Sequence, residues 1–502
     1  MEFSFVVEPA STWAADVVVF FAFKDSEEYL PGFSAWMASN ADWVSASRAL
    51  RDFSADLGSV SVIYGPPASS VQRVMIAGLG SKESFGIEQF NHAVTAALRK
   101  CRELKLRLVG LPLCAFEGLQ VDEALTNAVI SIIDGLYSYD AYKTENSGES
   151  KLPERIQIFA EKEPQLHVKD SIKRGQSVGE GLTFARDLVN APPNLATPVY
   201  MAEEAKKLAK KYGFKFKALK RKEIIDKGMG AFASVFRGST DEPRLVTLEY
   251  APKDNENDRP LVLVGKGVTF DSGGISLKPS NAMDTMKCDM SGAAAILGFF
   301  AAIGELAPEM HIVGILPFAD NMPDASATRP GEVVTSYAGK TIEILNTDAE
   351  GRLLLCDSLA YSSEFQPAAI IDLATLTGGC IVAFGTKVAA VMDNNHQLGS
   401  LVRECGMRVG ERYWPMPLWD MYKEELKSSV ADIKNIGSRE GMTIHAGMFL
   451  KEFVPENVPW VHLDIAGPAW AKSKSAVSEA GGTGFGVKTL VELIYTVDLD
   501  DL

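Results

Sequence analysis

The sequence has few cysteines, and they form no metal-binding or disulfide pattern. No Cys-x-x-Cys or Cys-x-His spacing occurs among the six, so neither a zinc finger nor a disulfide framework is indicated. We therefore expect reduced thiols and a cytoplasmic location. The cysteines are Cys101, Cys114, Cys288, Cys356, Cys380 and Cys405.

Positive charge is also in short supply. The chain has 50 Lys and Arg residues against 65 Asp and Glu residues, which gives a net charge of -15 and a pI near 5.1. Such a charge argues against a general surface for nucleic acid or for anionic membranes. We therefore expect no nucleic-acid partner.

The basic start of a signal peptide is missing as well. The most apolar early run, residues 17–23, is bounded by Asp16 and Lys24. It is too short to span a membrane, so it predicts a buried strand. We expect no membrane partner.

Length and patterning predict two α/β domains. The chain has 502 residues, of which 46% are hydrophobic, and strand-like runs alternate with helix-like runs up to about residue 163. A long helix is expected from about residue 169 to 189, before Pro192 and Pro193, which cannot continue it. We divide the chain into a smaller N-terminal α/β sheet domain (1–165), a connecting helix and linker (166–195) and a larger C-terminal α/β domain (196–502).

An octapeptide at residues 346–353, Asn-Thr-Asp-Ala-Glu-Gly-Arg-Leu, carries three charges at alternate positions. In an extended segment Asp348, Glu350 and Arg352 would point the same way. They lie between a strand-like run and a helix-like run, so they need partners. A divalent cation with an anion-binding arginine beside it would supply them, and a surface turn with a helix cap is the alternative.

A second charged stretch follows a strand-like run at residues 262–264. It brings Lys266, Asp271 and Lys278 into a glycine-rich segment, and Asp289 lies at or just before a helix expected at 293–306. Taken singly, Asp289 is better explained as a helix N-cap, and the lysines as solvated loop charges.

Together the two stretches resemble the leucyl aminopeptidase family of cytosolic di-metal enzymes. The octapeptide is similar to the signature of that family, and residues 264–278 are similar to its other metal-binding segment. Residues 375–378 (Thr-Leu-Thr-Gly) and 462–467 (His-Leu-Asp-Ile-Ala-Gly) also fit. The resemblance covers the chain from about Leu182 onward, and it implies a catalytic domain with a central mixed sheet flanked by helices.

The resemblance implies two divalent metal ions bridged by Asp271 and Glu350. Asp348 completes one ion, and Asp289 with the amine of Lys266 completes the other. Oxygen ligands without histidine suit zinc or manganese, with magnesium or cobalt as alternatives, and they argue against a His-rich zinc centre. Lys266 can bind a metal only as a neutral amine, so its metal should be held less tightly at low pH.

Two side chains that are not ligands carry catalytic roles in the resemblance. Lys278 would donate to the carbonyl oxygen as that oxygen gains charge. Arg352 would hold a bicarbonate that serves as general base, since its planar fork fits such an anion. Proton transfer through water without bicarbonate is the alternative.

The resemblance also implies the residues that bind substrate. An apolar pocket for the first side chain would be consistent with leucine-like residues. Its expected lining is Met286, Thr375, Gly378 and Ala466, with Leu376 and Gly378 placed where the backbone contacts substrate.

The expected activity is metal-dependent hydrolysis of the N-terminal residue, leucine-like preferred, from short peptides through a two-metal-activated water. The partners implied are peptides with a free N-terminus and other copies of the chain in a homohexamer. Three alternatives are a Cys-Gly dipeptidase in thiol turnover, a DNA-binding regulator and a structural hexamer without catalysis.

Overall fold

The protein is described by a computed structural model that covers residues 1–24, 53–65, 70–144, 152–164, 167–253, 255 and 258–502. The chain forms two compact units. The first contains Met1–Glu180 and Ser473–Ala480, and the second contains Gly181–Lys472 and Gly481–Leu502. The domain boundaries at residues 165 and 195 stay a prediction, and residue 165 itself lies outside the described residues.

The first unit is an α/β layer around one sheet. Its described strands are ordered β1-β6-β5-β2-β4-β3, and all neighbours are parallel except β3 and β4. Its elements are β1 (Glu2–Val7), β2 (Val17–Ala22), β3 (Val60–Tyr64), β4 (Arg73–Gly78), α1 (Ile87–Glu103), β5 (Leu108–Pro112), α2 (Val121–Gly135) and β6 (Arg155–Ala160).

The position of strand β2 inside the sheet explains why its sequence is continuously apolar. It lies inside the sheet, and all six of its residues are buried. Val17, Val19 and Phe21 pack into the same core cluster as helices α1 and α2, whereas Val18 and Phe20 face the cluster on the other side of the sheet. A strand covered on both faces has no polar side, so alternation is lost.

The second unit begins within helix α3 (Val168–Asn190) and is built on a nine-stranded mixed sheet. Its other helices are α4 (Pro198–Tyr212), α5 (Arg221–Asp226), α6 (Gly230–Phe236), α7 (Ser291–Leu306), α8 (Gly351–Tyr361), α9 (Gly378–Phe384), α10 (His396–Val409), α11 (Met442–Lys451) and α12 (Val487–Leu493). Its strands are β7 (Lys215–Lys220), β8 (Arg244–Tyr250), β9 (Leu261–Gly265), β10 (Gly267–Asp271), β11 (Ile312–Asn321), β12 (Glu332–Thr335), β13 (Thr341–Ile344), β14 (Ala369–Ala374), β15 (Val388–Asp393), β16 (Arg412–Pro415), β17 (Ile433–Lys434), β18 (Trp460–Asp464), β19 (Trp470–Ala471) and β20 (Gly481–Gly482).

The large sheet has the order β16-β15-β18-β14-β9-β11-β8-β7, and β10 continues beside β11. Strands β18, β14, β9, β11 and β10 run parallel to one another, so their carboxyl ends lie along the same edge. Ligands of open α/β sheets bind outside this edge. The fold therefore directs attention to the residues that follow these five strands.

One described segment, Met286–Leu306, is long and apolar enough to cross a membrane, but 83% of its most apolar window is buried inside the protein. That burial is what a core helix shows. The alanine-rich helix expected at 293–306 is observed as α7, which begins at Ser291.

Candidate metal centre

Charged and polar side chains collect at the carboxyl edge of the five parallel strands. Lys266 follows β9 directly, and Asp271 ends β10. Asn321 ends β11, Thr375 follows β14, and Asp464 ends β18. The strands thus bring to one place residues that are up to about two hundred positions apart in the chain.

Three carboxylates at this edge form a compact cluster. Asp271, Asp348 and Glu350 each offer an oxygen that lies within 4.8 Å of the other two. Asp271 and Glu350 are each only 2% exposed, and Asp348 is half-buried. So many buried acids in one place require cations.

Two lysines approach the carboxylates from the protein itself. Nζ of Lys266 lies 2.7 Å from Asp289 and 2.8 Å from Oε1 of Glu350, and it donates to the carbonyl of Thr375 at 2.9 Å. Lys266 therefore joins the fourth carboxylate, Asp289, to the cluster.

The second lysine, Lys278, serves the other side of the cluster. Its Nζ lies 2.7 Å from Oδ2 of Asp271 and 2.5 Å from Oδ1 of Asp348. Each lysine thus faces a different pair of carboxylates.

Two glycines permit these close approaches. A Cβ on Gly351 would lie 2.4 Å from Cε of Lys266, and one on Gly273 would lie 2.8 Å from Oδ1 of Asp348. Gly273 also has a φ of +89°, which a residue with a side chain rarely adopts. Gly273, in the glycine-rich segment after β9, and Gly351, in the octapeptide, are therefore steric requirements of the cluster.

The charges of the cluster shift the ionisation of its members. Burial alone would lower the pKa of Lys266, but the charges of Asp289, Glu350 and Asp271 outweigh it and raise that pKa. Burial, followed by the charge of Glu350, raises the pKa of Asp271 to about 6. The chain alone thus carries two ammonium groups among crowded acids at neutral pH.

The donor set fits divalent metal ions. Oδ2 of Asp289, Oδ1 of Asp348 and Oε1 of Glu350 are buried and lie 2.5 to 2.8 Å from the ammonium groups of Lys266 and Lys278. Carboxylate oxygens crowded in this way, without histidine in the cluster, are ligands for hard or borderline dications.

Two local expectations are corrected by the structure. The octapeptide is not extended: it bends after β13, places Asp348 in a turn, and already enters α8 at Gly351, so Arg352 lies in the first helical turn. Asp289 is not the N-cap of α7, because it lies in the 3-10 helix Met286–Met290 and Met290 precedes the helix. The need to gather carboxylates around one point prevails over the local patterns.

Arg352 is buried beside the cluster, with only 6% of its surface exposed. One guanidinium nitrogen, Nη1, donates to the carbonyl of Asn435 at 2.7 Å, and Nε is buried and donates no hydrogen bond to the described residues. Burial lowers the pKa of Arg352 to about 10, so the group stays charged at neutral pH.

Three of the five expected substrate residues donate hydrogen bonds to one of two aspartates. Oγ1 of Thr375 donates to Oδ1 of Asp289 at 2.8 Å. The backbone N–H groups of Leu376 and Ala466 both donate to Oδ1 of Asp464, at 3.2 and 3.1 Å. The two separate sequence segments at 375–378 and 462–467 therefore meet at one carboxylate.

The remaining two expected substrate residues lie at the starts of short helices. Gly378 begins α9, whose N-cap is Thr377, and Met286 begins the 3-10 helix that carries Asp289. In the described part of the chain Met286 makes no polar contact with the other expected substrate residues.

Sequence reasoning missed three buried residues that hold the site together. Nδ2 of Asn321 donates to Oδ1 of Asp271 at 2.8 Å and to the carbonyl of Thr347 at 2.9 Å. Asp464 and Asn435 were also assigned no role. A polar residue at the carboxyl end of a buried strand was a usable signal for Asn321 and Asp464, whereas the two-residue strand before Asn435 offers none.

Comparison with known proteins identifies the family. Residues 183–491 match the catalytic domain of the cytosol aminopeptidase family, and residues 17–146 match the N-terminal domain of the same family. The chain belongs to the cytosol aminopeptidase family. It is therefore a metal-dependent aminopeptidase, and the expected family, fold class and hydrolase activity are confirmed.

Individual relatives agree over almost the whole length. The chain is 46% identical to a probable cytosol aminopeptidase of Oleidesulfovibrio alaskensis and 44% identical to one of Syntrophobacter fumaroxidans, with 98% of both chains covered in each case. Among solved structures, the bottromycin maturation enzyme BotP in complex with Mn has a TM-score of 0.83 and 34% identity, covering 96% of this chain and 99% of BotP. A mutant of tomato leucine aminopeptidase has a TM-score of 0.86 and 33% identity, covering 98% of this chain and 96% of that chain.

Proposed function

We propose that this aminopeptidase removes leucine-like N-terminal residues from short peptides at a two-metal site. The observation that carries the proposal is the convergence of four carboxylates, two lysines and one buried arginine at the carboxyl edge of the large sheet. The proposed metal ligands are Lys266, Asp271, Asp289, Asp348 and Glu350. Lys278 and Arg352 are the proposed catalytic side chains.

Zinc or manganese is the proposed metal, with magnesium or cobalt as substitutes. When bound, two divalent ions in such a site supply an activated water and polarise the carbonyl of the bond to be cleaved. The solved structure of BotP with Mn supports manganese as one choice. The buried carboxylate oxygens that face the ammonium groups of Lys266 and Lys278 support the ligand set, because they are crowded together and need positive charge.

Lys278 provides a positive charge at the open side of the cluster. Its side chain is 16% exposed, whereas that of Lys266 is 3% exposed, so Lys278 can reach a substrate without leaving the carboxylates. We assign it the donation of a hydrogen bond to the substrate oxygen that becomes negative during attack.

Arg352 is proposed to bind an anion that accepts a proton. Its buried Nε donates no hydrogen bond to the described residues, and its charge persists because burial lowers its pKa only to about 10. Bicarbonate matches a planar guanidinium fork and would serve as the general base.

Met286, Thr375, Leu376, Gly378 and Ala466 are the proposed substrate residues. Thr375 and Leu376 are buried or half-buried next to Asp289 and Asp464, which supports a pocket formed by these two segments. A pocket with methionine and alanine walls favours aliphatic side chains.

We further propose that the chain acts in the cytoplasm as a homohexamer. The support is family membership and the names of the relatives, which are called cytosol aminopeptidases. Light scattering on the purified protein measures the number of copies, and a particle of one chain would contradict the hexamer.

Hydrolysis of leucyl-amide and of N-acetyl-leucyl-amide tests the proposed function. The purified protein is stripped with a chelator and refilled with manganese or zinc. We expect metal-dependent cleavage of the free-amine substrate only. No cleavage with any metal, although the ions are shown to be bound, would contradict the proposal. A large rate advantage for Cys-Gly over Leu-Gly would favour the dipeptidase alternative instead.

A further inference from the structure

Asn435 is a fully buried residue that clamps the octapeptide from outside it. Its Oδ1 accepts the backbone N–H groups of Leu345 and Asn346, at 2.9 and 3.4 Å. Its Nδ2 donates to the carbonyl of Asn346 at 2.7 Å and, more weakly, to that of Ala349 at 3.4 Å. One side chain thus holds both the entry and the middle of the segment that presents Asp348 and Glu350.

The backbone of the same residue holds Arg352. Nη1 of Arg352 donates to the carbonyl oxygen of Asn435 at 2.7 Å, and the contact is buried. Asn435 lies 83 positions after Arg352 and directly follows strand β17, which pairs with β13 ahead of the octapeptide. The residue is therefore fixed to the sheet on one side and to Arg352 and the octapeptide on the other.

We propose that Asn435 is the positioning residue that sets the guanidinium of Arg352 relative to Asp348 and Glu350. The inference rests on the catalytic role proposed above for Arg352. The side chain of Asn435 holds the octapeptide, and its backbone carbonyl holds Arg352. A shift of Asn435 would therefore change the distance from Arg352 to Asp348 and Glu350. Displacements of about 1 Å at a catalytic group reduce rates by as much as about a hundredfold.

Asn321 offers a contrast with a different expected effect. It is also buried and also bonds to the octapeptide, but its Nδ2 touches the proposed ligand Asp271 directly. Substitution of Asn321 should therefore weaken metal binding, whereas substitution of Asn435 should slow the chemical step with metal binding unchanged. Asn321 thus supports the ligand Asp271, whereas Asn435 supports Arg352.

The test compares Asn435→Asp with Asn321→Leu in the holoenzyme. Asp at 435 keeps the acceptors for Leu345 and Asn346 but loses both donated hydrogen bonds, and it turns a negative oxygen towards the carbonyls of Asn346 and Ala349. We expect kcat for leucyl-amide to fall about tenfold or more, with KM and the manganese dissociation constant within about twofold of the wild-type values. We expect Asn321→Leu, which removes the hydrogen bond to Asp271 and adds no carboxylate, to raise the manganese dissociation constant.

A double variant separates positioning from general stability. If Asn435 acts through Arg352, then Asn435→Asp should have no further effect on kcat once Arg352→Ala is present. Asn394→Asp is the control, because Asn394 bridges the carbonyl of Val458 and the N–H of Trp460 away from the site. We expect it to lower the melting temperature and to leave kcat unchanged. If Asn435→Asp does not fold, Asn435→Ser takes its place.

Three results would overturn the inference. The first is an Asn435 variant with normal kcat, the second is equal loss of metal affinity in the Asn435 and Asn321 variants, and the third is additive effects in the double variant. Loss of turnover in Arg352→Ala combined with normal kcat in Asn435→Asp would overturn this inference alone. An inactive wild-type holoenzyme would overturn both this inference and the proposed function. An Arg352→Ala variant with normal kcat would overturn the role of Arg352, and this inference with it, but not the function.

Discussion

Lys278 holds its ammonium group 2.7 Å from Oδ2 of Asp271, on the side of the cluster opposite to Lys266. Burial alone would lower the pKa of Lys278, but the charges of Asp271 and the other carboxylates outweigh it and raise that pKa above its ordinary value. The group is therefore a cation throughout the neutral range. A charged donor that is already in place costs no reorganisation when negative charge appears on a substrate.

Replacing Lys278 should remove this donor without emptying the metal site. Because Lys278 is not among the proposed ligands, Lys278→Met should retain two metal ions per chain and lose about a hundredfold to a thousandfold in kcat. Steady-state kinetics on leucyl-amide and elemental analysis of the metal content measure the two effects. Turnover close to the wild-type value in a metal-loaded variant would contradict the role. Lys222→Met, which removes an exposed lysine paired with Asp226 away from the site, is the control.

Metal binding should release a proton from Lys266. This lysine is charged in the metal-free chain, because its neighbouring carboxylates raise its pKa, and it must be neutral to bind a metal. Lower pH therefore favours the metal-free form. Calorimetry of manganese binding to stripped protein measures the released proton from the dependence of the heat on the buffer. At about pH 8 Asp271 is already ionised, because its pKa is about 6. Burial also raises the pKa of Asp289, so in Lys266→Met the number of protons released should fall by about one and need not reach zero. A heat independent of the buffer in the wild type would remove Lys266 from the ligand set.

Gly351→Ala should preserve the fold but reduce the activity. An added Cβ would lie 2.4 Å from Cε and 2.8 Å from Nζ of Lys266. The end of a lysine can move, and alanine suits the start of helix α8, but the buried ion pairs of Lys266 would be disturbed, so stability should fall by about 1–3 kcal/mol. The displaced amine would leave Asp289 and Glu350, so kcat should fall about tenfold or more. Thermal melting and kinetics measure both, with Gly86→Ala as control, because the nearest atom to its added Cβ is 3.6 Å away. Normal activity in Gly351→Ala would show that catalysis does not require the observed position of the Lys266 amine.

The sequence predicted the parts of the fold whose signal is local. The run at residues 17–23 is a strand because both faces of β2 are covered, and the run at 262–264 is a strand because β9 lies between β14 and β11. A strand that is covered on both faces consists of consecutive apolar residues, so it can be recognised in the sequence. The mixed α/β architecture follows from such runs.

Contacts between distant segments could not be read in this way. Residues Ser473–Ala480 return to the first unit, where Arg99 donates to the carbonyl of Ser475 at 2.6 Å. The octapeptide supplied the identities of Asp348, Glu350 and Arg352, but its bend depends on Asn435, which no periodic pattern connects to it. Residue types indicate the chemistry of a site, whereas its geometry depends on contacts that the topology creates.

His462 should make stability depend on pH through its buried pair with Asp372. Nδ1 of His462 lies 2.5 Å from Oδ1 of Asp372, and both side chains are fully buried. Burial alone would lower the pKa of His462, but the charge and hydrogen bond of Asp372, together with the charge of Asp464, raise it above the ordinary 6.5, while Arg352 opposes the rise. A raised folded-state pKa means that the charged form stabilises the fold fully below pH 6.5, and that this contribution is lost as the pH rises through the folded-state pKa.

Asparagine at position 462 keeps a donor for Asp372 and does not titrate, so it isolates this effect. The melting temperature of His462→Asn should lie furthest below that of the wild type under acidic conditions, by an amount equivalent to about 1–3 kcal/mol, and the gap should narrow as the pH increases. His396→Asn, at an exposed position, should show a constant difference near zero over the same range. A gap for His462→Asn that stays constant or widens with pH would mean that the imidazole is neutral in the folded protein. Because both variants share every other titrating group with the wild type, the comparison attributes the pH dependence to this ring together with the two aspartates whose charges act on it, Asp372 and Asp464.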